Sequence, residues 1–224
     1  FPVFEDLRVE GYGLFPGKEA ENGGLSAEFL PGLTLVMGAN GLGKTTLVWI
    51  LYRLLAGPFD IPGLDKEGAL GRRRLEARRI RPADRKIFAR RVADDAATST
   101  ARLGFMIGEH RVLVERHLGT LELLRFEVDG DERPVDEVSS YQSSIADMTG
   151  VWSFGDLILL LRYLTFYFED RRELVWDSSA QVQMLRLLFL PAETAQEWTE
   201  RERAILKADS RVRNLRNALG REEQ

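Results

Sequence analysis

Residues 38–46 read Gly-Ala-Asn-Gly-Leu-Gly-Lys-Thr-Thr, and they decide how the rest of the chain is interpreted. They match the P-loop pattern, in which a glycine and four variable residues precede Gly-Lys-Thr. Leu33–Met37 before them is an apolar run with strand character, and Leu47–Ala56 after them has the length and composition of a helix. Gly57-Pro58 supplies a helix stop. The sequence therefore predicts strand, glycine loop and helix, the context that distinguishes a P-loop from a chance match.

Each position of this loop has an expected task in binding a nucleoside triphosphate. Gly41 and Gly43 let backbone N–H groups turn towards the phosphates, and the following helix adds its positive N-terminal end. Lys44 is the expected catalytic residue that reaches the β- and γ-phosphates, and Thr45 is the expected Mg²⁺ ligand. The expected ATP contacts are Gly38, Asn40, Gly41, Leu42, Gly43, Lys44, Thr45 and Thr46. The alternative is a glycine-rich turn with an incidental lysine, although the chain has only five lysines.

The composition is that of an ordinary globular protein. The 224 residues are 44% hydrophobic and 29% charged, and without cysteine the chain has neither disulfides nor thiolate metal sites, which suits the cytoplasm. The apolar stretch Leu157–Phe168 contains Arg162 and is too short to cross a bilayer, so no membrane is expected. The first residues show no signal peptide and no Met, so we expect a trimmed piece of a longer chain.

Positive charge is concentrated in one part of an acidic chain. Residues 72–91 hold ten basic and two acidic side chains, a net charge of +8, whereas the whole chain carries −4. A basic island of this kind is a candidate contact for the phosphate backbone of double-stranded DNA. The candidates are Arg72, Arg73, Arg74, Arg78, Arg79 and Arg81. The alternative is a solvated arginine-rich segment that pairs with acids elsewhere.

Alternation of apolar residues and turn signals predict the remaining elements. The expected strands are Leu7–Tyr12, Leu25–Leu30, Leu103–Ile107, Arg111–Glu115, Leu121–Val128 and Thr165–Phe168. The expected helices are Asp136–Met148, Phe154–Leu164 and Ala180–Leu190, the last capped by Ser178 or Ser179. We interpret His110 and His117 as surface or turn residues of the hairpin region, because no carboxylate or cysteine pattern surrounds them.

The last segment carries a heptad pattern. Trp198, Ile205, Val212 and Leu219 are spaced by seven, with Ala208 and Leu215 three residues after two of them and Arg201 interrupting the series. This a/d pattern predicts the start of a coiled coil that continues beyond residue 224. The alternative is a surface helix that packs on its own domain.

The chain resembles the N-terminal half-head of SMC-like ATPases, a group that includes SMC proteins and SbcC-type repair ATPases, with RecF as a cousin that lacks the long coil. Two opening strands, a P-loop with Asn40, a long insertion and heptads from Trp198 carry the resemblance, which covers most of the chain. The resemblance implies an α/β fold, the N-terminal lobe of an ABC-type head over residues 1–191, and the start of a coiled-coil arm over 192–224. The run Phe168–Arg172 is similar to one in SMC-like ATPases of bacterial anti-phage defence systems such as Lamassu.

The resemblance also implies a residue beside Mg²⁺ and the attacking water, usually a glutamine at the end of an aromatic strand. Glu169 stands in that place, so it is the second expected catalytic residue and metal ligand. Gln142 and Gln181 are substitutes, and the alternative is that Glu169 only ends a buried strand. Lys44 and Glu169 are 125 positions apart (169 − 44), a longer gap than in transporter ATPases.

Two motifs of such heads are missing from this sequence. Asp177–Gln181 lacks the glycines of the signature motif and is better interpreted as a helix cap, and Leu157–Leu161 is followed by Arg162-Tyr163 instead of the acidic pair of a Walker B motif. The resemblance places both motifs in a C-terminal half-head. We therefore expect an ATPase that is active only when that half-head completes it. Its other expected partners are a second head, in a homodimer, and an accessory or nuclease subunit.

The expected function is to couple ATP binding and hydrolysis to DNA engagement in repair, chromosome maintenance or defence. Two alternatives remain at this point. One is a RecF-like or transporter-type ATPase without a long coil. The other is a nucleotide-gated scaffold with little turnover.

Overall fold

The computed structural model describes residues 1–15, 17, 24–61, 75–85, 87–88, 96, 98–135, 138–168 and 177–222. These residues form eight strands: β1 Val3–Glu10, β2 Gly24–Glu28, β3 Phe59–Asp60, β4 Arg78–Arg79, β5 Thr100–Ile107, β6 His110–His117, β7 Leu123–Val128 and β8 Asp131–Glu132. The same described part contains five α-helices: α1 Lys44–Ala56, α2 Val138–Thr149, α3 Phe154–Leu160, α4 Ser178–Phe189 and α5 Ala192–Glu222. The chain is therefore a mixed α/β protein with a long C-terminal helix.

Six of the strands form one antiparallel sheet in the order β2-β1-β5-β6-β7-β8. The two opening strands pair as the sequence predicts, with Leu7 opposite Ala27 and Val9 opposite Leu25. β5 and β6 form a hairpin in which Leu103 lies opposite Val114. A separate two-stranded ribbon pairs β3 with β4.

The core forms where α1 packs on β5 and β6 of this sheet. Burial alternates along β6, so that Val112 and Val114 face the core while their neighbours are more exposed. Ile50 and Leu54 of α1 are fully buried on the other side of the contact. Each such aliphatic side chain removed from water contributes about 1.5–3 kcal/mol, which holds α1 firmly against the sheet.

The strand predicted before the P-loop is not formed. Residues 33–39 have no regular secondary structure, and no described strand pairs with them. Leu33, Leu35 and Met37 are 94%, 73% and 80% exposed. The prediction failed because strand structure requires neighbouring strands to bond its backbone, and the described sheet offers none at this place.

Two details of the helical part also differ from the sequence prediction. Phe166 has an extended backbone, but residues 166–168 do not pair as a strand; they follow a π-helical turn, Leu161–Thr165, that ends α3. The N-cap of α4 is Asp177, whose carboxylate accepts from the N–H groups of Ser179 and Ala180. Ser178 and Ser179 lie inside the helix, because the longer Asp177 side chain already satisfies its first free donors.

The C-terminal helix α5 is 31 residues long and carries the heptad residues on its surface. Ile205, Val212, Leu215 and Leu219 are 45–65% exposed. Within the part of the chain described, these four side chains are not covered by their own domain; Trp198, the first residue of the stripe, is 41% exposed. A coiled-coil partner stays a prediction.

Candidate nucleotide-binding site

The glycine loop adopts a conformation that depends on its glycines. Gly41 and Gly43 have φ angles of +89° and +86°, in the left-handed region that other residues rarely adopt. A Cβ atom on Gly43 would lie 2.8 Å from Leu14 and 3.0 Å from Phe15. Gly43 is thus fixed by backbone angle and by close packing, which positions the loop directly before α1.

Lys44 is the first residue of α1, and its side chain turns back over the loop. The Nζ atom donates to the carbonyl oxygens of Gly38 at 2.6 Å and Ala39 at 2.8 Å. The ammonium group therefore lies within the loop it is expected to serve, held by neutral oxygens. A phosphate oxygen, being charged, is a stronger acceptor than a carbonyl and would compete for these donors.

The N-terminus of α1 is suited to an anion. Gly43, its N-cap, has no side-chain cap hydrogen bond, and its first turn holds no acidic residue. The first N–H groups of a 13-residue helix and its positive dipole end consequently lie beside the loop. Thr45 and Thr46 occupy this turn and are half-buried. These backbone donors, together with Lys44, fit the phosphates of a nucleotide. The role of Thr45 as a Mg²⁺ ligand stays a prediction.

The second expected metal ligand, Glu169, lies outside the described residues, but its neighbour Phe168 is placed. The Phe168 ring stacks on Trp49 of α1 with ring centroids 3.9 Å apart. Trp49 follows Thr45 by four positions, so both lie on the same face of α1, about one turn apart. The structure therefore brings the segment that precedes Glu169 to the Thr45 face.

Neither substitute glutamine, Gln142 or Gln181, is shown beside the loop. Gln142 is half-buried on α2, and Gln181 is exposed near the start of α4. Among the described residues, no group of three or more histidine, cysteine or acidic side chains is arranged to hold a metal ion. A Mg²⁺ site would thus depend on Thr45, on substrate phosphates and on residues outside the described part.

A buried charged cluster lies behind the Trp49–Phe168 stack. Arg53 donates to the Asp60 carboxylate at 2.6 Å, and Arg162 lies 3.6 Å from the same carboxylate. Tyr52 also donates to Asp60, at 3.0 Å. Burial, and then the Asp60 charge, raise the pKa of Tyr52 far above its ordinary value, which keeps the phenol neutral. The cluster fixes the orientation of α1 against the π-helical turn.

Sequence reasoning missed this cluster, although a signal was present. Arg53 and Arg162 each interrupt an apolar helix, and both are about 5% exposed or less. Arginine is almost never buried without partners, so two such positions predict a buried carboxylate. Asp60 is that carboxylate for both.

The basic run is only partly described. Arg72, Arg73 and Arg74 lie outside the described residues. Arg78 and Arg79 form β4 and are exposed. Arg81 is exposed and pairs with Asp84 at 2.8 Å. DNA contact by this run stays a prediction.

The two histidines lie at turns, as the sequence predicts. His110 is exposed and its Nδ1 lies 2.8 Å from the Asp129 carboxylate. His117 Nδ1 accepts from the backbone N–H groups of Gly119 and Thr120. Both contacts organise the connections of the antiparallel sheet.

No described helix by itself combines the length and apolarity of a membrane span; only residues 139–149 and 154–165 meet that test, when taken together across a 61° bend. No protein-family model matches the chain. No curated protein matches it in sequence.

Proposed function

We propose that this chain is the N-terminal lobe of an SMC-like, ABC-type ATPase head that binds ATP and Mg²⁺ at residues 38–46. One observation carries the proposal. The Lys44 ammonium lies over a loop with two left-handed glycines, at the uncapped N-terminus of α1. This is the donor arrangement that a triphosphate requires.

In this proposal the chain binds and orients the phosphates. Lys44 exchanges the carbonyl oxygens of Gly38 and Ala39 for β- and γ-phosphate oxygens. The Thr45 hydroxyl would hold Mg²⁺, and the ion would supply positive charge to stabilise the phosphates. Thr46 contacts the α-phosphate from the same turn, and Glu169 is the proposed further ligand of Mg²⁺ and of the attacking water.

The exposed segment 30–37 supports the view that a second lobe, the C-terminal half-head, completes this one. Leu33, Leu35 and Met37 alternate with Thr34 and Val36, yet residues on both sides of this alternation are exposed. A segment with apolar groups on both faces and no backbone partners has the composition of a strand buried inside a sheet. We assign its neighbours to the C-terminal half-head, which would also supply the signature and Walker B motifs.

The long helix α5 supports an arm in the same proposal. Its exposed apolar stripe is suited to a returning helix, and the arm would move as two heads close around ATP and open after hydrolysis. The proposed partners are a second head, double-stranded DNA and an accessory or nuclease subunit, in the cytoplasm. The pathway would be DNA repair, chromosome maintenance or anti-phage defence.

The test is to replace Lys44 with alanine and measure binding of a fluorescent ATP analogue with Mg²⁺. We expect affinity to fall at least about tenfold, because charge-assisted hydrogen bonds to the phosphates are lost. The control is Lys207→Ala, which removes the same charge from an exposed position on α5. Equal affinities of the Lys44 variant and the unmodified chain would sink the assignment.

A further inference from the structure

A second cationic site lies at the opposite end of α1 from the P-loop. A cavity of about 480 Å³ is lined there by Arg79 and Arg85 of the basic run and by Arg116 of β6. Glu122 is the acidic side chain among its described lining residues. We call it the arginine cavity; its described side chains leave an excess of two positive charges.

Arg116 forms the buried wall of the arginine cavity. It is 4% exposed, and its Nε donates to the Leu54 carbonyl at 2.9 Å while one Nη donates to the Leu121 carbonyl at 3.3 Å. Its guanidinium lies 4.7 Å from the centroid of the Tyr141 ring. These partners are neutral, and no carboxylate contacts Arg116 within the described part of the chain. Burial lowers the pKa of this guanidinium.

The residues around Arg116 are fitted to its side chain. Arg116 continues the buried face of β6 that carries Val112 and Val114. Gly57 lies directly against the guanidinium: a Cβ there would be 2.9 Å from the Arg116 Cζ atom. The position of Arg116 therefore depends on a glycine.

Capping α1 does not account for the other two arginines. The bond to Leu54 is one cap, and Tyr141 donates to the Leu55 carbonyl at 2.7 Å as another. Arg79 and Arg85 are held over the cavity separately. The Ile80 N–H donates to Pro58, and the Arg85 Nε donates to the Ile80 carbonyl at 3.2 Å. Three arginines thus line one cavity, where their like charges repel one another unless an anion is bound.

We propose that the arginine cavity binds a phosphate group, at a site separate from the P-loop. Arginine is the residue best matched to phosphate geometry, and a buried guanidinium surrounded by neutral partners gains most from an anion. The volume admits a phosphate with an attached sugar. The phosphate belongs either to the end of a nucleic-acid strand or to a free small molecule. The proposal does not require ATP at the P-loop, which lies about 20 Å away along α1.

The experiment uses the 224-residue chain with Lys44→Ala, so that the P-loop does not contribute to binding. Fluorescence anisotropy follows a labelled oligonucleotide with a 5′-phosphate, the same oligonucleotide with a 5′-hydroxyl, and displacement by inorganic pyrophosphate, all at one salt concentration. We expect Arg85→Gln to weaken phosphate binding about tenfold. The matched control is Arg211→Gln, which removes the same charge from an exposed position on α5 that does not line the cavity.

The outcomes distinguish a phosphate at a strand end from a free phosphate compound. Preference for the 5′-phosphate, lost in Arg85→Gln, supports a strand end as the ligand; pyrophosphate binding lost in the same variant, without that preference, supports a free phosphate compound. Arg116→Lys, checked for folding by circular dichroism, should weaken binding although charge is retained, because the planar fork is lost. Equal effects of Arg211→Gln and Arg85→Gln, or no binding of either phosphate probe, would overturn the proposal.

Discussion

Replacing Asp60 with asparagine tests the buried cluster that fixes α1. The Asp60 carboxylate accepts hydrogen bonds from Arg53 at 2.6 Å, Tyr52 at 3.0 Å and the Ile61 N–H at 2.8 Å. The side chains of Asp60, Arg53 and Arg162 are 12%, 5% and 4% exposed. Asparagine keeps the size of the side chain but removes its charge, and it places an amide donor among groups that already donate.

The size of the effect follows from this burial. Removing one partner of a buried ion pair costs about 3–5 kcal/mol, since the remaining charge stays desolvated. For a chain of this size each kcal/mol shifts Tm by about 2–4 °C, so we expect Tm to fall by about 6–20 °C. A pair exposed to solvent would contribute no more than about 1 kcal/mol.

Urea unfolding followed by circular dichroism measures the loss in unfolding free energy, and a thermal scan measures the fall in Tm. Trp fluorescence is a second probe that checks two-state behaviour. The control is Asp131→Asn, because Asp131 is exposed on β8 and its replacement should change stability by no more than about 0.5 kcal/mol. A loss below about 1 kcal/mol for Asp60→Asn would show that the cluster does not stabilise α1 as described.

Two further predictions concern a helix cap and a surface ion pair. Asp177→Ala should lower the unfolding free energy by about 0.5–2 kcal/mol in urea titrations, whereas Ser178→Ala should have little effect; the reverse order would contradict the assigned N-cap of α4. His110→Ala should raise the pKa of Asp129, measured by NMR, because the hydrogen bond with His110 is the largest cause that lowers it. Because the pKa of Asp129 is depressed in the folded chain, this contact stabilises the chain at pH values above the ordinary Asp pKa of about 3.9. The stabilisation is lost as pH falls through the folded pKa. An unchanged Asp129 pKa in the His110→Ala variant would refute this prediction.

The sequence predicted those elements whose signals are local. Alternation located β1, β2 and the β5–β6 hairpin, and the glycine pattern located the start of α1. These features depend on residues within one element or one turn, so neighbouring positions contain the needed information. The turn of the backbone at Gly41 and Gly43 followed from the same short motif, whereas the contact of Lys44 with phosphates stays a prediction.

The features that escaped prediction depend on distant residues. Asp60 and Arg162 are about a hundred positions apart, and Arg85 and Arg116, which line one cavity, are 31 positions apart (116 − 85). The failed strand at 33–37 shows the opposite error: its composition indicates a strand, but strand pairing requires neighbours that the described residues do not provide. The composition of a segment indicates its strand propensity, but a strand forms only where the tertiary structure supplies neighbouring strands to pair with it.

The exposed segment before the P-loop also affects how the chain behaves at high concentration. Residues 31–43 contain no charged side chain, and apolar groups project from 33–37 without cover. An uncharged, exposed, strand-forming stretch is a template for pairing between identical chains. We therefore expect solubility to be limited at this segment, so that prompt association with its partner also protects the protein from aggregation.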